Sequence, residues 1–412
     1  MPDHTLDTLV EESHDLLPAA VDLRRELHRW PEQGIHNPIT RDRILESLES
    51  LESLNLGVTR HTTTSGVAAL LTGALPGPTV LLRADTDALP MPEDTGLDYS
   101  SRVERTMHAC GHDTHVAMLA GAARLLAARK DTLRGRVLFM FQPGEEGHHG
   151  ARFMLEEGLL DVPALADGTP SPITGAYALH TTSAAHTGVI ASRPGPIMAS
   201  ADRLLITVTG RGGHASEPFR TIDPIPIACE IVQALQTMVT RRIDVFDPSV
   251  VTVARITAGT TNNVIPETAE IEGTIRAVSE RTRSKVHDGI KRVAEGVASA
   301  HEASVSVEID YGYPVTVNGV DAANFGLDLA RSIVGPDRVA TLPHPVMGAE
   351  DFSYVLQRVP GAMLFLGGTP WDKDTATAAP NHSNRVFFDE QAMVSGMAMY
   401  AGMALRHLDT QP

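Results

Sequence analysis

Three short apolar runs constrain this chain more than any other feature. "TVLLRAD" (79–85), "RVLFMFQPGEE" (136–146) and "GAYALH" (175–180) are nearly continuous in apolar residues, and each ends in a carboxylate or an imidazole. Strands that lack apolar/polar alternation are buried on both faces, as in a parallel sheet covered by helices. "VAMLAGAARLLAARK" and "GARFMLEEGLL" read as the helices between them, and residues 5–30 carry Leu6, Leu9, Val10, Leu16, Leu17, Val21 and Leu27 at helical spacing up to Pro31. An open parallel sheet binds ligands beyond the carboxyl ends of its strands, which is where the three runs deliver their polar residues.

The pattern changes after "SRPGPIMAS" (192–200). A strand ("DRLLITVTG"), a helix ("DPIPIACEIVQALQTMV"), two strands ("SVVTVARITAG", "EIEGTIRAV"), a helix ("RSKVHDGIKRVAEGVASA") and a strand ("SVSVEIDYG") follow in order. That β-α-β-β-α-β series is the split βαβ signature of a ferredoxin-like domain. From Tyr313 the helix–strand alternation resumes. The expected architecture is therefore an α/β catalytic domain, residues 1–197 and 315–412, with helices on both faces of a mostly parallel sheet, interrupted by an inserted α+β domain at 198–314. A length of 412 residues suits two or three such units.

Composition narrows the partners. With 34 Lys+Arg against 51 Asp+Glu the formal charge is −17, which argues against nucleic acid or an anionic membrane surface. No run is long and apolar enough to span a bilayer, and the N-terminal stretch lacks the basic-then-apolar order of a secretory signal. Two cysteines, Cys110 and Cys229, do not make a disulfide framework, so a cytoplasmic protein is expected.

Chemistry concentrates in "HACGHDTH" (108–115). The helix is expected to open after Gly111, with Asp113 or Thr114 as its cap, leaving Cys110 and His112 on a non-helical segment facing one side. A thiolate and an imidazole suit zinc or a similar divalent ion. Haem attachment and dithiol redox motifs both need a second nearby cysteine, and there is none. In "FQPGEEGHHG", Glu145 and Glu146 are expected to diverge from an extended turn, so that one carboxylate could bind metal while the other serves as a general base. His148 and His149 read as solvent-facing. His180 is expected to end its strand, and His382 lies in the polar loop "APNHSN". Asp85 and Asp87 share one face of a strand end, and one of them is expected to orient a ligand histidine. Five candidate ligands with a spare carboxylate exceed what one tetrahedral zinc needs, which favours two metals sharing a water.

In the insert, "TGRGGHAS" formally matches the dinucleotide fingerprint through Gly210, Gly212 and Ala215, but prolines follow and no helix opens at the glycines. Glycines around His214 point to a close approach instead, and Asn263 and Arg276 are the other polar candidates there, an arginine fork being suited to a carboxylate. Serine-hydrolase, zincin, P-loop and deaminase motifs are absent from the sequence.

Taken in order, "RRELHRWPEQG", "LRADTDALP", "MHACGHDTHVAMLAGAARLL", "FQPGEEGHHGA", "GRGGHAS", "NNVIP", "GTIR", "MGAEDFSY" and "PNHSN" resemble the M20 metallopeptidase-like amidohydrolases, in the branch of the hippurate, N-acyl-amino-acid and auxin-conjugate hydrolases. The resemblance runs from about residue 20 to 405. It implies two divalent metal ions (zinc, with manganese or cobalt as alternatives) on Cys110, His112, Glu146, His180 and His382, with Glu145 as general base. It also implies a homodimer built through the insert, His214 reaching the partner subunit's active site to help polarise the scissile carbonyl, Asn263 and Arg276 meeting a substrate carboxylate, and a small N-acyl amino acid as substrate. Dipeptidase or carboxypeptidase activity within the same superfamily is the alternative, and a non-catalytic metal-binding homologue a further one. Gly144, His149 and Phe219 depart from the residues usual in that family.

Overall fold

The apolar runs become neighbouring strands of one sheet in the computed structural model, which describes residues 3–52, 56–165 and 167–410. The chain divides into two compact units, Met1–Ile197 with Val317–His344 and Tyr354–Pro412, and Met198–Thr316 with Pro345–Ser353.

The first unit opens with α1 (Asp3–Arg29), α2 (Pro38–Glu52), β1 (Leu56–Arg60), β2 (Val67–Thr72) and β3 (Leu75–Asp85). Then come α3 (His112–Ala127), β4 (Arg134–Gln142), α4 (Gly150–Glu156), β5 (Ile173–His186) and β6 (Ile190–Ser192). β7 (Gly195–Met198) precedes the insert, whose elements are β8 (Asp202–Thr209), β9 (Gly213–His214), α5 (Pro224–Arg242), β10 (Ser249–Ala258), β11 (Val264–Ile265), β12 (Thr268–Ala277), α6 (Glu280–Ala300) and β13 (Ser304–Tyr311). After it follow β14 (Thr316–Asn318), α7 (Val320–Val334), β15 (Val339–Thr341), α8 (Ser353–Leu356), β16 (Gly361–Thr369) and α9 (Ala392–Thr410).

Eight strands of the first unit form a sheet in the order β1-β2-β4-β3-β5-β16-β6-β15. Its centre is parallel, β4 beside β3, β3 beside β5 and β5 beside β16, whereas β1–β2, β2–β4 and β16–β6 are antiparallel. The central strands bury both faces, as their unbroken apolar runs require. α3 and α9 are buried almost throughout, and small residues let them touch. A Cβ on Gly121 would lie 2.2 Å from the Met397 sulfur, and one on Gly396 would lie 1.9 Å from that of Met118. A side chain at either position would push the helices apart and open a void in the core, so either glycine→Leu change would be severe.

The second unit carries an antiparallel sheet in the order β10-β12-β8-β13. With α5 and α6 this is the ferredoxin-like arrangement that the order of elements anticipates. Alternate residues of β8 are buried, and Leu204, Ile206 and Val208 share a core with Ile227, Ile231, Leu235, Val286 and Ile290. α5 begins where its sequence says it should, with the Asp223 side chain capping the Ile225 amide and Pro224 in the first turn.

Candidate metal centre

The carboxyl ends of β3, β4 and β5, the entry to α3 and the loop before α9 supply the residues of one cluster, buried at Cys110, His112 and His180, half-buried at Glu146 and exposed at His382. α3 starts two residues earlier than a cap at Asp113 would place it. Gly111, with φ of 87°, takes the cap position, so His112 is already helical. Neither expected cap residue performs that role. The Thr114 hydroxyl bonds back to the Gly111 carbonyl at 2.5 Å, and the Asp113 carboxylate is held by Arg24 Nε at 3.0 Å and His28 Nδ1 at 2.9 Å. Glu93 completes this buried network through His28 Nε2 at 3.3 Å. Burial would lower the His28 imidazole, but Asp113 and Glu93 raise it to about 9.

Hydrogen bonds to backbone carbonyls fix two imidazoles. His112 Nδ1 donates to the Asp87 carbonyl at 2.8 Å and His180 Nδ1 to the Thr181 carbonyl at 2.9 Å, so each Nε2 keeps its lone pair. His180 is not at a strand end. β5 runs on to His186, because β16 pairs with it that far. The Cys110 sulfur lies 3.4 Å from His180 Nε2 and 3.2 Å from His382 Nε2, and His382 Nε2 lies 3.3 Å from Glu146 Oε1. Ligand atoms of Cys110, His112 and His180 fall within 4.8 Å of one another, and so do those of Cys110, Glu146 and His382. The thiol is thus common to two triads.

Glu145 and Glu146 do not diverge. Their oxygens and His112 also form a group within 4.8 Å. The cause is Asp87, whose two carboxylate oxygens accept from the Glu145 and Glu146 amides at 2.9 Å each. Consecutive N–H groups drawn to one carboxylate make a tight turn rather than an extended one, and both side chains then face the same pocket. Asp87 therefore orients His112 with its carbonyl and the glutamates with its carboxylate. Asp85 binds His115 Nδ1 at 2.5 Å and Arg83 Nη1 at 2.7 Å, and its Oδ2 lies 3.5 Å from His112 Nε2. Burial would raise the Asp85 carboxyl, but Arg83 and the two histidines hold it well below the usual range. With Nε2 accepting from the Thr181 amide at 2.7 Å, His115 has no lone pair left for a ligand. His108 is buried with neither ring nitrogen hydrogen-bonded, and burial lowers it to about 4. His149 is not the free surface residue expected of it. It is half-buried, adopts φ of 57°, and its Nδ1 lies 2.9 Å from the Tyr354 hydroxyl.

A cation fits this donor set. His112 Nε2 and Glu146 Oε1 are buried without a hydrogen-bond partner, and such atoms are costly unless something else satisfies them. Thiolate, two fixed imidazoles, a third imidazole and a carboxylate are the donors that transition-metal dications prefer.

The insert's candidates belong to the second unit. His214 is exposed on the antiparallel β9–β11 pair opposite Val264, and its Nδ1 accepts from the Ser216 amide at 3.1 Å and Ser216 Oγ at 2.7 Å, leaving Nε2–H as the donor. Asn263 is exposed beside it, its carbonyl taking the Ala215 amide at 3.1 Å. Arg276 is half-buried on β12, where burial lowers its guanidinium. The glycines there serve the chain itself, since a Cβ on Gly210 would meet the Ile222 carbonyl oxygen at 2.0 Å.

A buried thiolate–imidazole–carboxylate cluster with an adjoining glutamate, at the carboxyl edge of a mostly parallel sheet, defines a hydrolase of the metallopeptidase type. The model of peptidase family M20/M25/M40 matches residues 81–406, and the chain belongs to that family. It is 37% identical over 390 residues to thermostable carboxypeptidase 1 of Saccharolobus solfataricus, covering 94% of each chain. It is 35% identical to N-acetylcysteine deacetylase of Bacillus subtilis, covering 95% of this chain and 97% of the other. Among solved structures it superimposes on the Bacillus subtilis YXEP protein, described as a dinuclear metal-binding peptidase of family M20, with a TM-score of 0.81 and 31% identity over 96% of this chain and 99% of that one. The chain is thus an enzyme that hydrolyses amide bonds.

Proposed function

We propose that this protein is a dinuclear metal-dependent amidohydrolase that removes the acyl group from N-acyl amino acids or similar small amides. The observation that carries the reading is the pair of triads sharing the Cys110 sulfur, with the Glu145 carboxylate beside them. Cys110, His112, His180, Glu146 and His382 hold two divalent ions, zinc in the first place, with manganese or cobalt as alternatives. Such ions supply Lewis-acid polarisation of the carbonyl and a water of lowered pKa. Glu145 takes a proton from the attacking water and hands it to the departing nitrogen as the C–N bond breaks. His214 reaches the active site of the partner subunit in the dimer and donates from Nε2 to the carbonyl oxygen there, while Asn263 and Arg276 receive the substrate carboxylate.

The insert also serves as the lid and as the surface of a homodimer. In support, β10 is an edge strand that shows Val250 and Ile256 to solvent, and Val245 and Phe246 are exposed just before it. Two free cysteines suit the cytoplasm, and no helix among the described residues is long and apolar enough to cross a membrane.

The likeness to a carboxypeptidase favours a second reading, cleavage of a peptide's C-terminal residue. The two separate on a panel of N-acetyl amino acids and dipeptides with the metal-reconstituted full-length protein, read by mass spectrometry. The proposal expects the acetyl compounds to turn over faster. Preference for dipeptides would replace it with the second reading.

A further inference from the structure

In the sequence Asn381 is the residue before His382 in "PNHSN", and no role attaches to it. In the structure its side-chain amide is engaged at both ends. Oδ1 accepts from the Ser183 amide at 3.0 Å and from the Ser183 hydroxyl at 3.3 Å. Nδ2 donates to the Thr181 carbonyl at 2.9 Å, to the Cys110 carbonyl at 3.4 Å and to the Cys110 sulfur at 3.9 Å.

The first two partners explain why an amide is needed. β3 pairs with β5 only as far as Arg83 opposite Ala178. Beyond that point β5 presents the carbonyl of Thr181 and the amide of Ser183, two residues apart, and among the described residues no strand pairs with them on that side. A parallel neighbour would bond to that pair of groups, and the Asn381 amide stands in for it. The loop carrying His382 is thereby fixed to the strand carrying His180. His382 needs that restraint. Its φ is 68°, a left-handed conformation that a non-glycine residue keeps only when its surroundings enforce it, and its amide is tied to the Ala109 carbonyl at 2.8 Å.

The sulfur contact has a chemical consequence. His180 and His382 approach Cys110 through Nε2, the nitrogen each would turn to a metal, and a ligating nitrogen has no proton for the sulfur. Asn381 Nδ2–H is the donor that stays. We infer that Asn381 is a positioning residue for the metal centre, one that locks His382 against β5 and supplies an N–H···S bond that withdraws charge from the Cys110 thiolate. This rests on the reading of Cys110 as a ligand.

Cobalt(II) tests it on the full-length protein through two readouts other than activity. Affinity is measured by competition with a chromophoric chelator, and the near-ultraviolet sulfur-to-cobalt charge-transfer band reports the thiolate. Asn381→Ala should weaken cobalt binding by about 10- to 100-fold, the usual scale for residues behind the ligands. It should also move the band to longer wavelength, because a sulfur stripped of its N–H donor gives up electrons more easily. Asn381→Asp keeps the shape and the acceptor for Ser183 but loses the donor, so it should shift the band as well and serves if the alanine variant does not fold. A wild-type band that stays in place in the variants, whatever their affinity, overturns the inference and leaves Cys110 a ligand. A wild-type spectrum without the band, the same as that of Cys110→Ser, overturns the ligand reading itself.

Discussion

The cluster around Cys110 and the strand pair around His214 are built by opposite means. The first is buried apart from His382, which is exposed, and is held by side chains that touch other side chains and carbonyls far away in sequence. Asp87 grips amides 58 residues on, and Asp113 binds Arg24 from 89 residues away. The second is a two-residue strand pair at the surface, and His214 is aimed by Ser216, two positions along. A metal centre must be rigid and dry before anything binds, since its ligands need fixed tautomers and a low-dielectric surround. A residue that meets substrate from outside needs only a direction. Substitutions in the two regions should therefore fail differently, one in stability and metal content, the other in turnover alone.

The largest effect is expected beneath the cluster. Asp113→Ala removes the buried carboxylate that Arg24 and His28 share and leaves them as carboxylates only Glu390 and Glu93, each at 3.3 Å, so the loss should approach the ~3–5 kcal/mol of a broken buried pair. Chemical denaturation measures it, and a loss below ~1 kcal/mol would mean the buried network is not what holds the entry to α3. Next comes His214→Ala, which should leave stability within ~0.5 kcal/mol and metal content unchanged while turnover falls roughly 10²-fold, the scale for one donor to a developing oxyanion. If His214→Ala instead lost metal, the contrast between the two regions would collapse.

A smaller effect concerns His407 on α9, buried between the Thr174 and Tyr177 hydroxyls at 2.9 and 3.1 Å with no carboxylate to hold its proton. Burial lowers its pKa to about 4, whereas an unfolded histidine titrates near ~6.5. Between those values the unfolded chain binds the extra proton, so the contribution to stability is complete above pH ~6.5 and drains away as pH falls toward 4. His407→Gln removes the titration and should flatten that part of the curve, by a few kcal/mol at most. Denaturation curves that stay parallel between wild type and variant from neutral to acid pH would count against it. His28 shows the opposite sign, because its carboxylate partners outweigh the same burial.

How far the sequence carried follows the same division. Continuous apolar runs announced the central strands, and the β-α-β-β-α-β order announced the insert, because both are local patterns. Cys110, His112, Glu146, His180 and His382 were legible as candidates from their types and from the family motifs, and the fold brings them together. What stayed hidden was set by long-range contacts. Asp113 reads as a helix cap until Arg24 claims it, and Glu145 reads as diverging from Glu146 until Asp87 turns both amides inward. Asn381 stands in "PNHSN" but its role was not legible there, since it depends on where β3 leaves β5. His149 in a left-handed conformation beside Tyr354 was equally invisible, because no spacing rule places a residue 205 positions away against it.

The proposed division of labour between adjoining glutamates is the most direct point of attack. In Glu145→Gln the amide keeps the size of the side chain and loses the proton acceptor, while the five proposed ligands are untouched. Metal per chain by elemental analysis and turnover of an N-acetyl amino acid, measured on the same preparation, give the answer. Metal content should equal that of wild type, with turnover lower by at least ~10²-fold, the usual scale for a general base. Turnover near the wild-type rate, at full metal content, would contradict the assignment of Glu145.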